Sequence, residues 1–206
     1  MNPYDKYRGQ SQEIIQSKAY HADHKKDATF LPELRGKHVA TFSYLWDGKH
    51  YISYGKWLAA SRDPKFFTGK RILFREIISS RFVCTQIEED FIIDRSIYIA
   101  KPIKEQINVS CVLGILSSKL LVWLFRYEKN EFDELFPKIR LEEFKKLPIP
   151  KNKENCDKIE IITSQIISSK KSNSKADTND LEKEIDRLVY EVYGLTKEEI
   201  KIVENN

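Results

Sequence analysis

The pattern of apolar residues changes near residue 110, and this change constrains the fold more than any single motif. Before it, apolar runs are short, rich in β-branched and aromatic residues, and bounded by turn residues. Such runs predict strands at residues 39–45, 72–78 and 91–99. After it, apolar residues recur at helical spacing. The sequence therefore predicts an α+β fold, a strand-rich part followed by a helical C-terminal part.

Two turns are predicted within the strand-rich part. Asp47-Gly48 lies between the stretches 44–46 and 49–52, and this dipeptide is typical of a type I′ β-hairpin, because both central residues adopt positive φ. Residues 61–70 contain the turn-favouring residues Pro64 and Gly69, and they predict the turn before the next strand.

The helical part begins with the most apolar run of the chain. Ser110 is predicted to cap one buried helix that continues to about Arg126. Prolines then keep most of the segment 136–150, FPKIRLEEFKKLPIP, out of helix, apart from one turn at 141–146. Its two basic pairs, in a segment too apolar for a free linker, predict an ordered and positively charged loop or short strand.

Further helices are predicted toward the C-terminus. Isoleucines at helical spacing over 159–166 mark one of them, and a polar linker at 170–176 follows. Apolar residues over 181–192 form one stripe of a last long helix, which Gly194 ends. Residues 196–199 form a capping box for a short final helix.

Composition narrows the class of protein. The 206 residues, 41% of them apolar, suffice for one large domain with a real core. Three widely spaced cysteines without a C-x-x-C pair predict neither a disulfide framework nor a zinc knuckle, and they fit a reducing cytoplasm. The apolar run 111–127 is interrupted by polar residues and is short for a membrane span. The sequence therefore predicts a cytoplasmic protein with no membrane partner.

Charge is distributed unevenly along the chain. From Arg35 to Arg81, ten Lys and Arg stand against three Asp and Glu, a net +7, whereas residues 177–206 have four against nine, a net −5. The middle of the chain therefore carries a cationic surface. Such a surface attracts polyanions at long range, although it can also serve only solubility.

No motif supplies a convincing active site. Asn2-Pro3-Tyr4 lacks the second proline of the Asn-Pro-Pro-aromatic motif of adenine methylation, and no glycine-rich cofactor turn accompanies it. Glu143-Phe144-Lys145 has the E-x-K form of a magnesium nuclease but lacks an upstream Pro-Asp partner, which favours a solvated helical turn. We predict no catalytic residue in this chain.

The histidines give no convincing metal site either. His21 and His24 are three residues apart and would share a helix face, so with Asp23 they could hold a metal, but a solvated or locally hydrogen-bonded pair is favoured. His38 and His50 have no recognisable acid or nucleophile beside them in the sequence. We predict no metal-binding residue.

Several segments, in order and spacing over nearly the whole chain, resemble one family. It is the TaqI-like specificity domain at the C-terminal end of type IIG restriction–modification enzymes. The segments are LRGKHV at 34–39, YISYGKWLA at 51–59 with Arg62, GKRILFREI at 69–77, DRSIY at 94–98, LGILSSKLL at 113–121, FPKIRLEEFKKLPIP at 136–150 and IDRLVYEVYGLT at 185–196.

The resemblance implies a domain that reads DNA sequence while another part of the polypeptide does the chemistry. It implies a lead-in at 1–34, a target recognition domain at 35–150, and C-terminal helices at 151–206 that pack on it or on a methyltransferase domain. The implied partners are double-stranded DNA and the methyltransferase/endonuclease part of the parent. S-adenosylmethionine and magnesium are implied for that parent, a DNA adenine methyltransferase, and no cofactor is implied for this chain.

Basic residues interleaved with aromatics are the candidate DNA contacts. Alternation along GKRILFREI predicts that Arg71 and Arg75 project from one face toward solvent or DNA, with Ile72 and Phe74 buried on the other. Each aromatic candidate could equally be a packing residue. The candidates are Arg35, Lys37, Tyr51, Tyr54, Lys56, Arg62, Lys65, Lys70, Arg71, Arg75, Arg81, Lys138, Arg140, Lys145 and Lys146.

Two alternatives stay open. Arg75 could pair with a carboxylate such as Asp94 and only steady the sheet. The whole chain could instead be a stand-alone protein–protein interaction module, in which the acidic C-terminal helices bind a partner and the basic middle is a solvated surface.

Overall fold

The computed structural model describes residues 2–104, 108–129, 138–150 and 153–205. Within these ranges strands lie in the N-terminal half and helices dominate after residue 108, which confirms the predicted α+β order. The strands are β1 (His21–Ala22), β2 (Phe30–Leu34), β3 (Val39–Ala40), β4 (Ser43–Tyr44), β5 (Tyr51–Ser53), β6 (Arg71–Arg75), β7 (Cys84–Ile87), β8 (Ile92–Ile93) and β9 (Ile97–Ala100). The helices are α1 (Gln12–Ser17), α2 (Val109–Leu116), α3 (Lys119–Lys129), α4 (Leu141–Phe144), α5 (Lys153–Ser172), α6 (Asn179–Tyr193) and α7 (Lys197–Glu204).

The described strands form three sheets. A four-stranded sheet has the order β1-β5-β2-β8, in which β2 and β8 are parallel and the other pairs antiparallel. An antiparallel sheet has the order β7-β6-β9, and β3 pairs with β4 in a small hairpin.

Strand β6 lies between two hydrophobic cores. Ile72 and Phe74 belong to a core shared with the C-terminal helices, and Leu73 belongs to a second core formed with the four-stranded sheet. The predicted alternation is therefore correct, but the prediction that one face of this strand points to solvent is wrong. Segments distant in the sequence cover that face.

Asp47-Gly48 does not form the predicted hairpin. Strand β4 pairs backward with β3, whereas β5 pairs with β1 and β2, so the dipeptide connects two different sheets. The turn is stabilised instead by the Asp47 carboxylate, which accepts the Lys49 backbone N–H at 3.0 Å. The predicted strand at 39–45 is itself the β3–β4 hairpin, which turns at Phe42, a buried residue with a φ of +61°.

The predicted single helix from Ser110 to Arg126 is two helices. Asn108, rather than Ser110, caps α2, since its side-chain oxygen accepts the Cys111 N–H at 3.0 Å. After a break at residues 117–118, α3 begins at Lys119, whose backbone N–H donates to Asp186 of α6 at 2.9 Å. A carboxylate at the start of a helix accepts hydrogen bonds from N–H groups that have no partner within the helix. The Asp186 carboxylate therefore favours the start of a new helix at Lys119.

No single helix among the described residues is long and apolar enough to cross a membrane. In the same part of the chain, the helices Val109–Leu116 and Lys119–Glu128 reach that length and composition together, and they are bent by 61° relative to each other.

Helices α2 and α5 approach each other closely and are joined covalently. A Cβ atom at Gly114 would lie 2.5 Å from side-chain atoms of both Ile159 and Thr163, so only glycine fits there. Beside this contact Cys111 and Cys156 form a disulfide across 45 residues of sequence. The sequence, which predicts no disulfide framework, did not indicate this bond, because helix packing rather than sequence spacing brings the two residues together.

The remaining helix boundaries follow local signals. Helix α5 continues through Ser172, so the predicted linker at 170–176 begins later than expected. Gly194 caps α6 with a φ of +66°, and the capping box at residues 196–199 is present, which confirms both predictions. In the segment 136–150, the predicted turn is helix α4, while residues 136 and 137 lie outside the described residues.

Candidate nucleic-acid interface

Arg71 is an internal residue and not a surface cation. Its side chain is fully buried and donates to the carbonyl oxygens of Gly69 at 2.7 Å and Glu89 at 2.9 Å. Burial lowers the pKa of the Arg71 guanidinium, and the nearby acids Asp90 and Glu89 oppose this shift. The prediction that Arg71 projects toward DNA is therefore wrong, because the four-stranded sheet covers its side of β6.

The Arg81 side chain is also engaged in hydrogen bonds and an ion pair within the chain. Its guanidinium binds both carboxylate oxygens of Asp186 and donates to the Ser117 carbonyl at 2.7 Å. Both side chains of the pair are largely buried. Arg81 thus joins the β6–β7 connection to α6 and to the break between α2 and α3. Its prediction as a DNA contact is wrong for this conformation.

The two candidate tyrosines pack against other rings. Tyr51 contacts Trp46 edge-on at 5.2 Å between ring centroids, and Tyr54 contacts Phe67 in the same way at 5.6 Å. The Tyr54 hydroxyl also donates to the Arg62 carbonyl. The packing interpretation therefore accounts for both aromatics.

Four candidates lie together in the connection between β5 and β6. Leu58 and Phe67 anchor this connection in the second core, and Lys101 fixes it further by donating to the carbonyls of Lys65 at 2.6 Å and Thr68 at 2.8 Å. It is an ordered segment, and we call it the basic loop. Its exposed cations are Lys56, Arg62, Lys65 and Lys70.

The charges of the basic loop are largely available to a ligand. Lys65 pairs with Asp63 at 2.9 Å, but both side chains are exposed, and such pairs are weak. Among the residues that the structure describes, the side chains of Lys56, Arg62 and Lys70 make no ion pair.

A second group of candidates lies at the opposite end of β6. The Gly36 N–H donates to Ser96, the Glu76 N–H donates to the Ser96 carbonyl, and the Ile139 N–H donates to the Glu76 carbonyl. These bonds bring four segments of the chain together. The rise of a strand places this end about 17 Å from Lys70. We call the cations here the rim group: Arg35, Arg75, Lys138 and Arg140.

The rim group differs in how firmly its members are held. Arg35 Nε donates to Glu33 at 2.8 Å, and exposed Lys138 lies 3.7 Å from Glu76. Arg75 is half-buried and makes no ion pair with Asp94 within the described ranges, since Asp94 accepts the N–H and hydroxyl of Ser96.

The other basic candidates make local pairs. Lys37 donates to Asp47 at 3.2 Å. Lys145 and Lys146 lie at the end of α4, where they pair with the residues three positions earlier, Glu142 and Glu143. The E-x-K triplet is thus part of a short helical turn in which Lys145 is exposed while Phe144 packs against Phe74 and Phe82. Helix α4 directly follows Arg140, so these two lysines adjoin the rim group.

His38, Asp47 and His50 form a cluster that the sequence reading missed. Their ligand atoms all lie within 4.8 Å, and Asp47 accepts from His50 Nδ1 at 2.7 Å and His38 Nε2 at 3.4 Å. The hydrogen bond from His50 lowers the pKa of Asp47 and outweighs the opposing effect of burial. The statement that these histidines have no acid nearby is wrong, since Asp47 is three residues from His50.

The tautomer of His38 argues against a metal ion in this cluster. His38 Nδ1 accepts the Arg35 backbone N–H at 3.1 Å, so the ring proton lies on Nε2 and points at Asp47. A ligating imidazole nitrogen needs a free lone pair, and its other nitrogen normally donates. The geometry therefore favours a hydrogen-bonded cluster.

His21 and His24 do not share a helix face. His21 lies in β1, between the Tyr4 hydroxyl and the Glu33 carboxylate. His24 is exposed and pairs with Asp23 at 2.7 Å. The local alternative thus holds for His24 alone, because the partners of His21 are 17 and 12 residues away.

Two basic residues beside the rim group were not among the candidates. Exposed Lys18 and Arg95 line a cleft together with Arg35. Arg95 belongs to the DRSIY segment of the resemblance, which could have indicated it. Lys18 has no such signal, because only the folding of the N-terminal segment brings it to the cleft.

An α+β domain with ordered, exposed cations at both ends of a buried strand belongs to the class of domains suited to binding nucleic acid. The model of the TaqI-like C-terminal specificity domain matches residues 31–149. The chain therefore belongs to this family, which confirms the resemblance. The family indicates DNA target recognition in restriction–modification enzymes, and a specificity domain is not itself catalytic. Comparison with curated proteins gives no match.

Proposed function

We propose that this chain is the target recognition domain of a type IIG restriction–modification enzyme, and that it selects the duplex sequence on which a linked methyltransferase/endonuclease part acts. The observation that carries the proposal is the basic loop, which presents four exposed cations on an ordered segment inside the matched residues. Ordered cations fix the register of a protein on the duplex, which base reading requires.

We further propose that S-adenosylmethionine and magnesium serve the parent polypeptide rather than this chain. The absence from the sequence of a glycine-rich cofactor turn and of a full Asn-Pro-Pro-aromatic motif supports this division. Adenine methylation and DNA cleavage are therefore assigned to the linked part, with double-stranded DNA as the shared partner.

The stand-alone interaction module is the less favoured proposal. It assigns partner binding to the acidic C-terminal helices, and an uncovered apolar stripe on α6 would support it. Ile185, Leu188 and Val189 of that stripe are already buried within this chain. The acidic outer face of α6 and α7 remains available, but it needs no partner in order to fold.

Binding to labelled duplexes of mixed sequence over a salt series tests the proposal. We expect the logarithm of the binding constant to fall linearly with the logarithm of salt concentration, by about 0.9 per phosphate contacted. Replacing the four cations of the basic loop by glutamine should flatten this slope.

A matched variant supplies the control for charge alone. It replaces the same number of exposed cations on helices α5, α6 and α7, Lys158, Lys183, Arg187 and Lys201, by glutamine. It should bind like the unmodified protein. Selection from a random duplex library should then enrich one sequence, and a chain that binds no duplex, or enriches no sequence, contradicts the proposal.

A further inference from the structure

An open cleft of about 430 Å³ lies beside the rim group. The N-terminal segment forms one side, and the ends of β2 and β8 form the other. Three cations converge on it from distant parts of the chain, Lys18, Arg35 and Arg95. Its acids are Glu33 and Asp94.

A chain of hydrogen bonds orients one of these cations. The Tyr20 backbone N–H donates to the Tyr4 hydroxyl at 3.0 Å, and that hydroxyl donates to His21 Nδ1 at 2.9 Å. His21 Nε2 then donates to Glu33 at 3.3 Å, and the other Glu33 oxygen accepts from Arg35 Nε at 2.8 Å. Every member of the chain has its partner.

The chain of hydrogen bonds ends at Arg35 Nε, and this leaves the two terminal nitrogens of the guanidinium group free. The Glu33 side chain is only 2% exposed, so it is a fixed anchor, whereas Arg35 is 35% exposed. Burial disfavours the charged form of Glu33, but the hydrogen bonds from His21 and Arg35, together with the Arg35 charge, outweigh it and lower its pKa. The two terminal nitrogens of Arg35 therefore stand in a fixed orientation at the cleft, ready for a bidentate acceptor.

The charge of the cleft suits an anion. Both carboxylates are already engaged, Glu33 by His21 and Arg35, and Asp94 by Ser96. Lys18 and Arg95 make no side-chain hydrogen bond or ion pair among the described residues. A phosphate oxygen pair matches the geometry of an arginine fork.

We propose that this cleft binds one phosphate of the DNA backbone, with Arg35 as the oriented contact, Lys18 and Arg95 as supporting charges, and Tyr4, His21 and Glu33 as positioning residues. The inference rests on the proposed function and deepens it. It assigns a role to the lead-in segment, whose Tyr4 and Lys18 fall outside the matched residues.

The first experiment measures duplex affinity of the full chain over a salt series. Arg35→Ala should weaken binding about tenfold and reduce the salt slope by about 0.9. Arg35→Lys keeps the charge but not the fork, so it should restore the slope and only part of the affinity. Arg187→Ala, an exposed arginine on α6, is the matched control and should change neither quantity.

The second experiment separates positioning from general stability. Tyr4→Phe keeps the ring, and thus the stack on Tyr20, but breaks the hydrogen-bond chain. It should weaken binding about two- to tenfold with an unchanged salt slope. In the Arg35→Ala background it should have no further effect on affinity, because the residue it positions is absent.

The outcomes are distinguishable. An unmodified chain that binds no duplex overturns the proposed function itself. A chain that binds, while Arg35→Ala and Arg95→Ala leave affinity and salt slope unchanged, overturns only the phosphate site. Arg95 is exposed and makes no side-chain bond among the described residues, so its replacement keeps the test valid if Arg35→Ala does not fold. An equal loss on Tyr4→Phe in both backgrounds overturns the positioning role.

Discussion

At the scale of single residues, burial decides which arginines act within the chain and which remain available for a ligand. Arg81 and Asp186 are 105 residues apart and bind each other with both largely buried. A buried ion pair contributes little over an apolar pair, but its rupture leaves an unpaired buried charge. Arg81 is thus a structural residue in spite of its charge.

We expect Arg81→Met to lower the free energy of unfolding by about 3–5 kcal/mol, because Asp186 is left buried without its partner. The double variant Arg81→Met/Asp186→Leu should recover a large part of this loss. Urea unfolding followed by circular dichroism measures both. The control is Arg187→Met, an exposed arginine on the same helix as Asp186, which should cost less than about 1 kcal/mol. Equal losses for Arg81→Met and Arg187→Met would contradict the assignment.

Glu33 should make stability depend on pH. Its pKa is lowered in the folded chain, so its contribution is present above the unfolded pKa of about 4.3 and is lost as pH falls through the folded value. Glu33→Gln should therefore be less stable than the unmodified chain at pH 7, by about 1–3 kcal/mol. The two should begin to converge as the pH falls below about 4.3 and should continue to converge through the lower folded value. Urea titrations from pH 7 to pH 3 measure the difference, and two parallel curves would show that Glu33 does not contribute in this way.

Arg71 shows that the sequence predicts the direction of a side chain along a strand but not whether that side chain is buried. Alternation correctly placed Ile72 and Phe74 on one face and Arg71 on the other, because side-chain direction along a strand is local. Whether that second face is covered depends on β2, β5 and β8, and no local pattern reports their position. The same limit applies to the contact of Asp47 with His38, nine residues away, but not to its bond with His50, three residues away.

At the scale of elements, the boundaries set by local signals were predicted correctly, and those set by distant contacts were not. Caps at Gly194 and residues 196–199 were predictable, because they depend on neighbouring residues alone. The break after Leu116 was not, since it coincides with bonds from Arg81 and Asp186 to residues 117–119. The predicted type I′ turn at Asp47-Gly48 did not form, since only Gly48 has a positive φ and strand pairing, which is non-local, places the dipeptide between two sheets.

The disulfide between α2 and α5 should stabilise the chain strongly. It closes a loop of 45 residues, and the chain-entropy relation gives about 4 kcal/mol for such a loop. Cys156→Ser should therefore lower the free energy of unfolding by that order, and added reductant should lower that of the unmodified chain by a similar amount. Reductant should not affect the variant. If reductant leaves the unmodified chain unchanged, the bond does not form in solution.

The contact of α2 with α5 depends on Gly114 as well. We expect Gly114→Ala to destabilise the fold by about 1–3 kcal/mol, because the new methyl group would meet Ile159 and Thr163 at 2.5 Å. Ser169→Ala, an exposed position of α5, is the control and should change stability by less than about 0.5 kcal/mol. Thermal melting compares the two, and a normal melting temperature for Gly114→Ala would mean that the helices separate at little cost.

At the scale of the whole molecule, the acidic C-terminal helices hold the fold together rather than carry the ligand-binding charge. Helix α6 buries Ile185, Leu188 and Val189 in the same core as Ile72 and Phe74 of β6. It also supplies Asp186 to Arg81. The net charge of −5 over residues 177–206 leaves this part of the chain repelled by DNA, while the basic loop lies elsewhere.

Deletion of residues 178–206 should therefore abolish cooperative unfolding, because it exposes the core face of β6 and α2 and leaves Arg81 without its partner. Deletion of residues 197–206 alone should lower the melting temperature modestly and leave the salt dependence of duplex binding unchanged, since α7 buries only Val203 fully among its described residues. Differential scanning calorimetry and a duplex salt series on the two truncated chains measure this contrast. The interaction-module alternative makes the opposite prediction, because a domain that merely carries these helices for a partner would melt normally without them. A cooperatively folded chain that ends at residue 177 would therefore restore that alternative.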